Sequence, residues 1–225
     1  MKKSISIVLT VMIVALASCR KDTTLIFITD ELSVDLGSTD SDVLQFVKAS
    51  DGSEVTVSGI DYGKVGLQQA VFKAGPASET RPVKVRADRL AGRYLWYISV
   101  LDIDGTYFQL SEPGMDWYWN FSKGNAFNQI LIPDSAYSPY SKKMEHIFGN
   151  EGALTLTMDG DSLSITPWRG KLYFDVSTLP TDHTFDSIRY GRLPNGEYGI
   201  LSFRMIENDG KYTNYFRFDF EKVAE

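Results

Sequence analysis

Tight-turn dipeptides, set between apolar runs, constrain the fold of this chain more than any other feature of its sequence. They are Asp104-Gly105, Asp159-Gly160, Asn195-Gly196 and Asp209-Gly210. Such dipeptides favour the backbone of two-residue β-hairpin turns. The flanking runs alternate apolar and polar residues, as in Phe216, Phe218 and Phe220 around Arg217 and Asp219, and this alternation is typical of strands with one buried face. The sequence therefore predicts an all-β fold.

Residues 25–88 contain several short runs of strand type, separated by turn residues. An Asp51-Gly52-Ser53 turn leads to Val55-Thr56-Val57, then to a run that begins at Gly66, and finally to Val83-Lys84-Val85. This succession resembles the bacterial immunoglobulin-like (Ig-like) modules. The resemblance implies an Ig-like β-sandwich over residues 25–88 that serves as a spacer or adhesion unit and carries no catalytic residues.

A domain boundary is predicted at Asp88-Arg89, where the strand pattern stops and Leu90-Ala91-Gly92 opens an aromatic-rich region. We expect an exposed linker at residues 88–92, because domain boundaries fall in exposed segments. The second domain then spans residues 89–225. Its hairpins predict either an antiparallel barrel or a two-sheet sandwich, and they do not distinguish the two. Helical character is expected only from Ser141 to Phe148.

The N-terminus predicts a signal peptide and a lipid anchor. Lys2 and Lys3 precede an uncharged stretch from Ile5 to Ala17, and Leu16-Ala17-Ser18-Cys19 follows the pattern of a bacterial lipobox. The apolar run is shorter than the roughly 20 residues of a membrane-spanning helix. We therefore expect a signal peptide at 1–18, a lipidated Cys19 and a short tether at 19–24. Cys19 is the only cysteine, and its acyl chains would hold the protein on a membrane.

Charge argues against nucleic acid as a partner. The formal net charge is −6, and the sequence holds no basic stripe that could neutralise phosphates. No cofactor is predicted either, because the chain lacks the clustered His and Cys residues that the common zinc sites need.

Few residues are suited to catalysis. His146 and His183 both lie in polar segments, and we expect both to be solvated surface residues. Glycoside hydrolysis requires two facing carboxylates, whose separation depends on the fold. The acids available for such a pair are Glu112, Asp116, Asp175 and Asp186. The prediction is that the protein is not an enzyme, and a glycoside hydrolase-like activity is an alternative.

One segment has alternate carboxylates before a glycine, as in the start of a calcium loop. Asp102 and Asp104 precede Gly105, but the position where an EF-hand places its bidentate Glu holds Pro113. We interpret the segment as a hairpin turn. Asp102 and Asp104 are the only candidate metal ligands, and calcium binding is the alternative.

Aromatic residues of the second domain are the candidates for ligand binding. In an extended strand Trp117, Trp119 and Phe121 share one face, and Tyr118 lies on the other. An exposed aromatic face is suited to gripping sugars or extended peptides. The candidate ligand-binding residues are therefore Trp117, Tyr118, Trp119 and Trp168, with Tyr137 and Tyr140 as further exposed aromatics. The alternative is that all of them belong to the core.

The lipobox, the Ig-like module and the aromatic β-domain together resemble the small outer-membrane lipoproteins of Bacteroidetes, in particular those that accompany SusC/SusD-type importers. The resemblance implies a lipid-anchored, non-catalytic accessory protein that captures an oligosaccharide or oligopeptide. It implies an outer-membrane location, at the cell surface or on the periplasmic face. A structural or adhesive protein of the pilus type is the alternative.

Overall fold

The computed structural model describes residues 22–101, 107–109, 117–138, 141–148, 152–171, 180–208, 210 and 213–223. Almost every element within these ranges is a strand, so the predicted all-β fold is confirmed. No helix among these residues is long and apolar enough to cross a membrane.

The first half of the chain forms two small sheets and one short helix. Its elements are β1 (Leu25–Phe27), β2 (Leu32–Asp35), α1 (Asp40–Leu44), β3 (Val47–Ala49), β4 (Thr56–Ser58), β5 (Gly66–Ala74) and β6 (Ala77–Arg86). β1 pairs with β3, and the other four strands are ordered β2-β6-β5-β4. The pair β2–β6 is parallel and the remaining pairs are antiparallel. Phe27 packs edge-on against Phe72, with 5.2 Å between ring centroids, and thereby joins the two sheets.

The short helix α1 was not expected from the sequence. Thr39 precedes it in an extended conformation, and the Thr39 backbone N–H donates to Asp42 Oδ2 at 2.8 Å. Such a reciprocal contact between a residue and the third helical position starts a helix. Val43 lies fully buried and attaches α1 to the core.

The second half of the chain forms a single twelve-stranded sheet among the described residues. Its strands are β7 (Gly92–Leu101), β8 (Tyr107–Gln109), β9 (Tyr118–Lys123), β10 (Gln129–Ile132), β11 (Ser135–Ser138), β12 (Lys143–His146), β13 (Leu154–Asp159), β14 (Ser162–Ile165), β15 (Trp168–Gly170), β16 (Thr181–Arg192), β17 (Tyr198–Asn208) and β18 (Thr213–Lys222). The main order is β14-β13-β10-β9-β7-β18-β17-β16-β15, with β11 beside β9 and β12, and β8 beside β7. All of these pairs are antiparallel. The sheet curls until β14 lies near β16.

Turn dipeptides mark the hairpins as predicted. Gly160 lies between β13 and β14 with φ +60°, and Gly196 lies between β16 and β17 with φ +87°. Gly210, with φ +84°, lies between the paired strands β17 and β18. Asp104-Gly105 lies outside the described residues, although β7 and β8 on either side of it are paired.

The expected helical stretch from Ser141 to Phe148 is wrong. Lys143–His146 is strand β12, paired with β11 from Ser135↔His146 to Ser138↔Lys143. The buried Asp134 carboxylate holds the end of this hairpin, because it accepts the Phe148 N–H at 2.7 Å and lies 2.5 Å from His146 Nδ1. Tertiary pairing overrides the weak helix preference of the segment.

The segment 88–92, expected to be an exposed linker, is only partly exposed: Leu90 is fully buried, whereas Arg89 is exposed. Asp88–Leu90 is a 3-10 helix, and Ala87 and Leu90 are fully buried. The Tyr94 hydroxyl donates to the Leu90 carbonyl at 2.6 Å, and the Ala87 N–H donates to the Phe127 carbonyl at 2.8 Å. Leu90 and these two hydrogen bonds therefore attach the connecting segment to the body of the protein.

Candidate functional site

Three of the four predicted ligand-binding residues lie in the core. Trp117 is 5% exposed, Trp119 is fully buried and Trp168 is 6% exposed. Trp119 packs on Trp96 and Phe148, with 5.5 and 5.4 Å between ring centroids, and its indole N–H donates to the Pro133 carbonyl at 2.7 Å. Side chains in these positions offer a ligand almost no surface. The prediction that these tryptophans form an exposed platform is wrong. Trp117 and Trp119 lie on the side of the β9 segment that faces the core, and Trp168 of β15 is buried against Phe148 and His183.

Tyr118, the fourth predicted residue, lies on the outer face of the sheet. It lies directly opposite Leu95 of β7 and directly opposite Tyr137 of β11. Tyr137 in turn lies opposite Met144 of β12. Residues directly opposite each other in neighbouring strands share a face and lie side by side. Leu95, Tyr118, Tyr137 and Met144 therefore form one line across four strands, which we call the apolar row.

The apolar row is open to solvent, most clearly toward its β12 end. Tyr137 is 36% exposed and Met144 is 48% exposed, whereas Leu95 and Tyr118 are half-buried. Leu95 and Tyr118 point outward because their neighbours in the sequence point into the core. Leu95 lies between the buried Tyr94 and Trp96, and Tyr118 lies between the buried Trp117 and Trp119. The apolar row therefore faces outward because the aromatic residues next to it in the sequence fill the core.

An arginine side chain packs on the apolar row. The Arg93 guanidinium lies over the Tyr118 ring, 3.7 Å from its centroid. Arg93 is exposed, so its N–H groups face solvent while its plane covers the ring. The arrangement combines flat apolar surface with hydrogen-bond donors at one side, which suits ligands that have an apolar face and polar edges.

Sequence reasoning named Tyr118 and Tyr137 but missed Leu95, Met144 and Arg93. No local signal separates these three residues from other exposed side chains, because they meet only through the pairing of β7, β9, β11 and β12. Tyr140 lies outside the described residues.

The two histidines have different environments. His146 has a side chain that is 56% exposed, as expected. The expectation of a solvated His183 is wrong, because His183 is only 1% exposed. Its ring stacks on Trp168 with 4.2 Å between centroids, and its Nε2 lies 3.5 Å from Glu207 Oε1. Thr181, which donates to Glu207 at 2.9 Å, joins His183 in a buried polar cluster.

Position along β16 explains why His183 is buried. Thr181 and His183 point inward while Asp182 and Thr184 point outward, so the polarity of the segment says nothing about which side chains it buries. The Glu207 carboxylate also accepts from Asn214 Nδ2 at 2.8 Å. These hydrogen bonds stabilise a carboxylate that would otherwise be costly to bury.

Of the four acids considered for glycoside hydrolysis, only Asp186 lies among the described residues. Asp186 binds Arg204 through two hydrogen bonds, of 2.7 and 2.5 Å. This contact holds the pKa of Asp186 below its usual value, so the carboxyl stays ionised. Glu112, Asp116 and Asp175 lie outside the described residues.

The candidate calcium ligands Asp102 and Asp104 also lie outside the described residues. Among the residues that are described, no group of three or more His, Cys, Asp or Glu side chains is placed to hold a metal ion. Cys19 and the predicted signal peptide likewise fall outside the described ranges.

A groove of about 540 Å³ lies beside the 3-10 helix, between Arg89, Glu197, Tyr198 and Lys222. Lys222 Nζ donates to the carbonyls of Arg89 and Tyr198, at 2.7 and 3.2 Å. Lys222 therefore ties the 3-10 helix to β17 and lines the groove.

Comparison with known proteins gives one structural likeness. No protein-family model matches the sequence, and no curated protein is similar to it. Among solved structures, the chain is similar to the lipoprotein BT2262 from Bacteroides thetaiotaomicron, with a TM-score of 0.30 and 13% identity over 89% of this chain and 100% of that chain. At that TM-score the two folds are not shown to be the same, so the function has to be derived from the residues of this chain.

Proposed function

We propose that the protein is a lipid-anchored, non-catalytic binding protein whose second half holds an oligosaccharide or oligopeptide on the apolar row. The observation that carries this proposal is the line of Leu95, Tyr118, Tyr137 and Met144 on the outer face of the sheet, with Arg93 stacked on Tyr118.

The apolar row has the dimensions of a platform for an extended ligand. It crosses four strands, and three interstrand steps of about 4.8 Å give it a length of roughly 14 Å. Paired strands hold its side chains in place, so little conformational entropy is left to lose on binding. Tyrosine and arginine are also the residue types that contribute most to binding at interfaces.

The proposal that the protein is not an enzyme is supported by two carboxylates of the second half, Asp134 and Asp186, which are both held by other groups of the chain. Asp134 is engaged by His146 and by the Phe148 backbone. Asp186 is paired with Arg204, which lowers its pKa and makes it a poor general acid. Both carboxylates have partners that hold them in place, as expected of structural groups.

The location and partners proposed here rest on the resemblance to the outer-membrane lipoproteins of Bacteroidetes. We place the protein at the outer membrane, anchored through Cys19, with the first half as an Ig-like spacer. The ligand-binding half would then work beside a SusC/SusD-type importer, to which it presents oligosaccharides or oligopeptides. Display on the cell surface is the favoured orientation, and the periplasmic face is the alternative.

Binding at the apolar row is tested by the Tyr118→Ala and Met144→Ala variants. Each should weaken the affinity for neutral oligosaccharides or oligopeptides by about 1–3 kcal/mol, as expected for a moderate to strong contact. Isothermal titration calorimetry against a panel of both ligand types measures this loss. The matched control is Leu67→Ala, because Leu67 is a similarly exposed apolar residue (54%, against 48% for Met144) in the first half. If the row variants bind as the parent does, or if Leu67→Ala loses as much affinity, the apolar row is not the binding site.

The anchor is tested separately by Cys19→Ala. Loss of the acylated thiol should release the protein from salt-washed membranes, because one or more acyl chains supply the membrane affinity. Cell fractionation followed by immunoblotting shows the outcome. A Cys19→Ala protein that stays with the membrane overturns the anchor and leaves the binding proposal intact.

A further inference from the structure

A second concave site lies on the outer face of the sheet, at the middle of β16, β17 and β18. It is a cavity of about 200 Å³, lined by Ser187, Arg189, Ser202, Phe203, Arg204 and Arg217. Three arginines therefore surround one small cavity, in a chain whose net charge is −6. This local excess of positive charge is opposite in sign to the protein as a whole.

An irregularity of the backbone brings the third arginine into this cavity. The register between β16 and β17 shifts between Asp186 and Arg189, which marks a β-bulge. Within it Ser187 has φ +51°, in the left-handed region that a residue with a Cβ rarely adopts. Bulges of this kind re-aim side chains and are frequent beside functional sites. Here the bulge sets Arg189 opposite Ser202, next to the Arg204–Arg217 pair.

The charges around the cavity are only partly compensated. Arg204 and Arg217 lie directly opposite each other in β17 and β18, an arrangement in which like charges repel. Asp186 pairs with Arg204, and Asp219 accepts from Arg217 Nε and Nη2 at 3.0 and 2.8 Å. The exposed Arg189 makes no hydrogen bond or ion pair with the described part of the chain. Among the described residues, three arginines thus lie beside two carboxylates.

We propose that this cavity binds an oxyanion, namely a carboxylate, sulfate or phosphate group of a small ligand. The Arg189 guanidinium and the Nη1 group of Arg217 are its principal donors, and the Ser187 and Ser202 hydroxyls line the same space. An arginine fork matches the geometry of such groups and forms charge-assisted hydrogen bonds with them. A bound anion would also remove the repulsion between Arg204 and Arg217. The site is separate from the apolar row, and it does not depend on the function proposed for that row.

The experiment titrates the purified protein with inorganic sulfate, inorganic phosphate and glucuronate, with glucose as the neutral reference. Chemical shifts of the arginine Nε–H groups and of the Ser187 and Ser202 amides report binding. The Arg189→Gln and Arg217→Gln variants should each weaken the binding by about tenfold or more, the change expected on losing a charge-assisted hydrogen bond. Added sodium chloride should weaken it further, because these side chains are partly exposed.

Arg192→Gln is the matched control. Arg192 lies in the same strand as Arg189, is also exposed, and donates to the Gly196 carbonyl away from the cavity. Its variant should bind as the parent does, and melting curves of all three variants verify that they fold. The site is supported if the parent binds any one of the three anions saturably and Arg189→Gln loses that binding. A preference for glucuronate indicates a group carried by a sugar, and a preference for sulfate or phosphate indicates a free anion. Absence of saturable binding for all three anions overturns it, as does an equal loss in Arg192→Gln.

Discussion

Alternation along a single strand separates core from surface in β9. Trp119 and Phe121 point inward and are almost fully buried, whereas Tyr118 and Asn120 point outward. Around Trp119 the rings of Trp96, Phe121 and Phe148 lie within 5.4 to 5.6 Å. Adjacent aromatic residues therefore differ in their surroundings: Trp119 packs in the core, and Tyr118 lies half-buried on the outer face.

We expect Trp119→Ala to lower the free energy of unfolding by about 3–5 kcal/mol, because it leaves a large cavity in a packed aromatic core. Tyr118→Ala should lower it by about 1 kcal/mol or less, as for a surface substitution that mainly removes the contact with Arg93. Chemical denaturation of both variants checks this contrast. Equal losses for the two variants would contradict the division of roles along β9.

At the scale of elements, the 3-10 helix at Asp88–Leu90 connects the first half to the sheet of the second half. Asp88 binds Lys123 of β9 at 2.9 Å and also pairs with Arg86 of β6. Burial pulls the pKa of Asp88 upward, but the contacts with Lys123 and Arg86 outweigh burial and hold the pKa below its usual value. The folded state therefore favours the ionised carboxylate.

The depressed pKa of Asp88 predicts a pH dependence. A carboxyl whose pKa is lower in the folded state stabilises the fold fully above its unfolded pKa of about 4, and this contribution is lost as the pH falls through the folded value. Asp88→Asn should therefore be less stable than the parent at neutral pH, by about 1 kcal/mol, as for a partly exposed ion pair. The difference should disappear in strong acid. Urea denaturation at several pH values measures it.

Asp161→Asn is the control for this prediction. Asp161 also forms an ion pair between the halves, with Lys64 at 2.7 Å, but its side chain is 87% exposed. Such a surface pair contributes little to stability. A difference between Asp88→Asn and the parent that persists unchanged below about pH 2 would show that the Asp88 charge is not its cause.

At the scale of the whole molecule, the two halves share one hydrophobic core. A single cluster of buried residues extends from Leu32 in β2 to Phe220 in β18. Backbone contacts reinforce it: the Gly160 N–H donates to the Val65 carbonyl at 2.8 Å, and the Val65 N–H donates to the Tyr190 hydroxyl at 2.9 Å. We therefore expect the described structure to melt in a single cooperative transition.

Gly66→Ala tests this coupling. A Cβ at Gly66 would lie 2.8 Å from the Gly160 backbone nitrogen, and its φ of +144° is unfavourable for alanine. The substitution should cost at least about 2 kcal/mol and lower the single Tm by about 4 °C or more. Gly52→Ala, with φ +77° and no atom within 4 Å of the new Cβ, should lower it less. Two separate transitions in calorimetry, only one of them shifted, would show that the halves unfold independently.

Local patterns in the sequence were enough to predict the all-β class and most hairpins. The turn glycines 160, 196 and 210 have positive φ, and the alternating phenylalanines of β18 lie where their periodicity predicts. Signals of this kind act within a few residues, since turn chemistry and side-chain alternation are properties of the local backbone. The lipid anchor at Cys19 and the division at residue 88 remain predictions.

Tertiary structure alone decided which residues meet. The pairing of strands determines which face of β9 is buried and why His183 lies inside. It also determines that four residues form the apolar row, namely Leu95, Tyr118, Tyr137 and Met144. The same holds for the three arginines around the bulge of β16, which lie in three different strands. Alternation assigns residues to two faces, but only pairing and packing choose the inner face and set the register between strands. Local sequence patterns were therefore sufficient to predict the strands of this protein, but not the surfaces proposed to bind ligands.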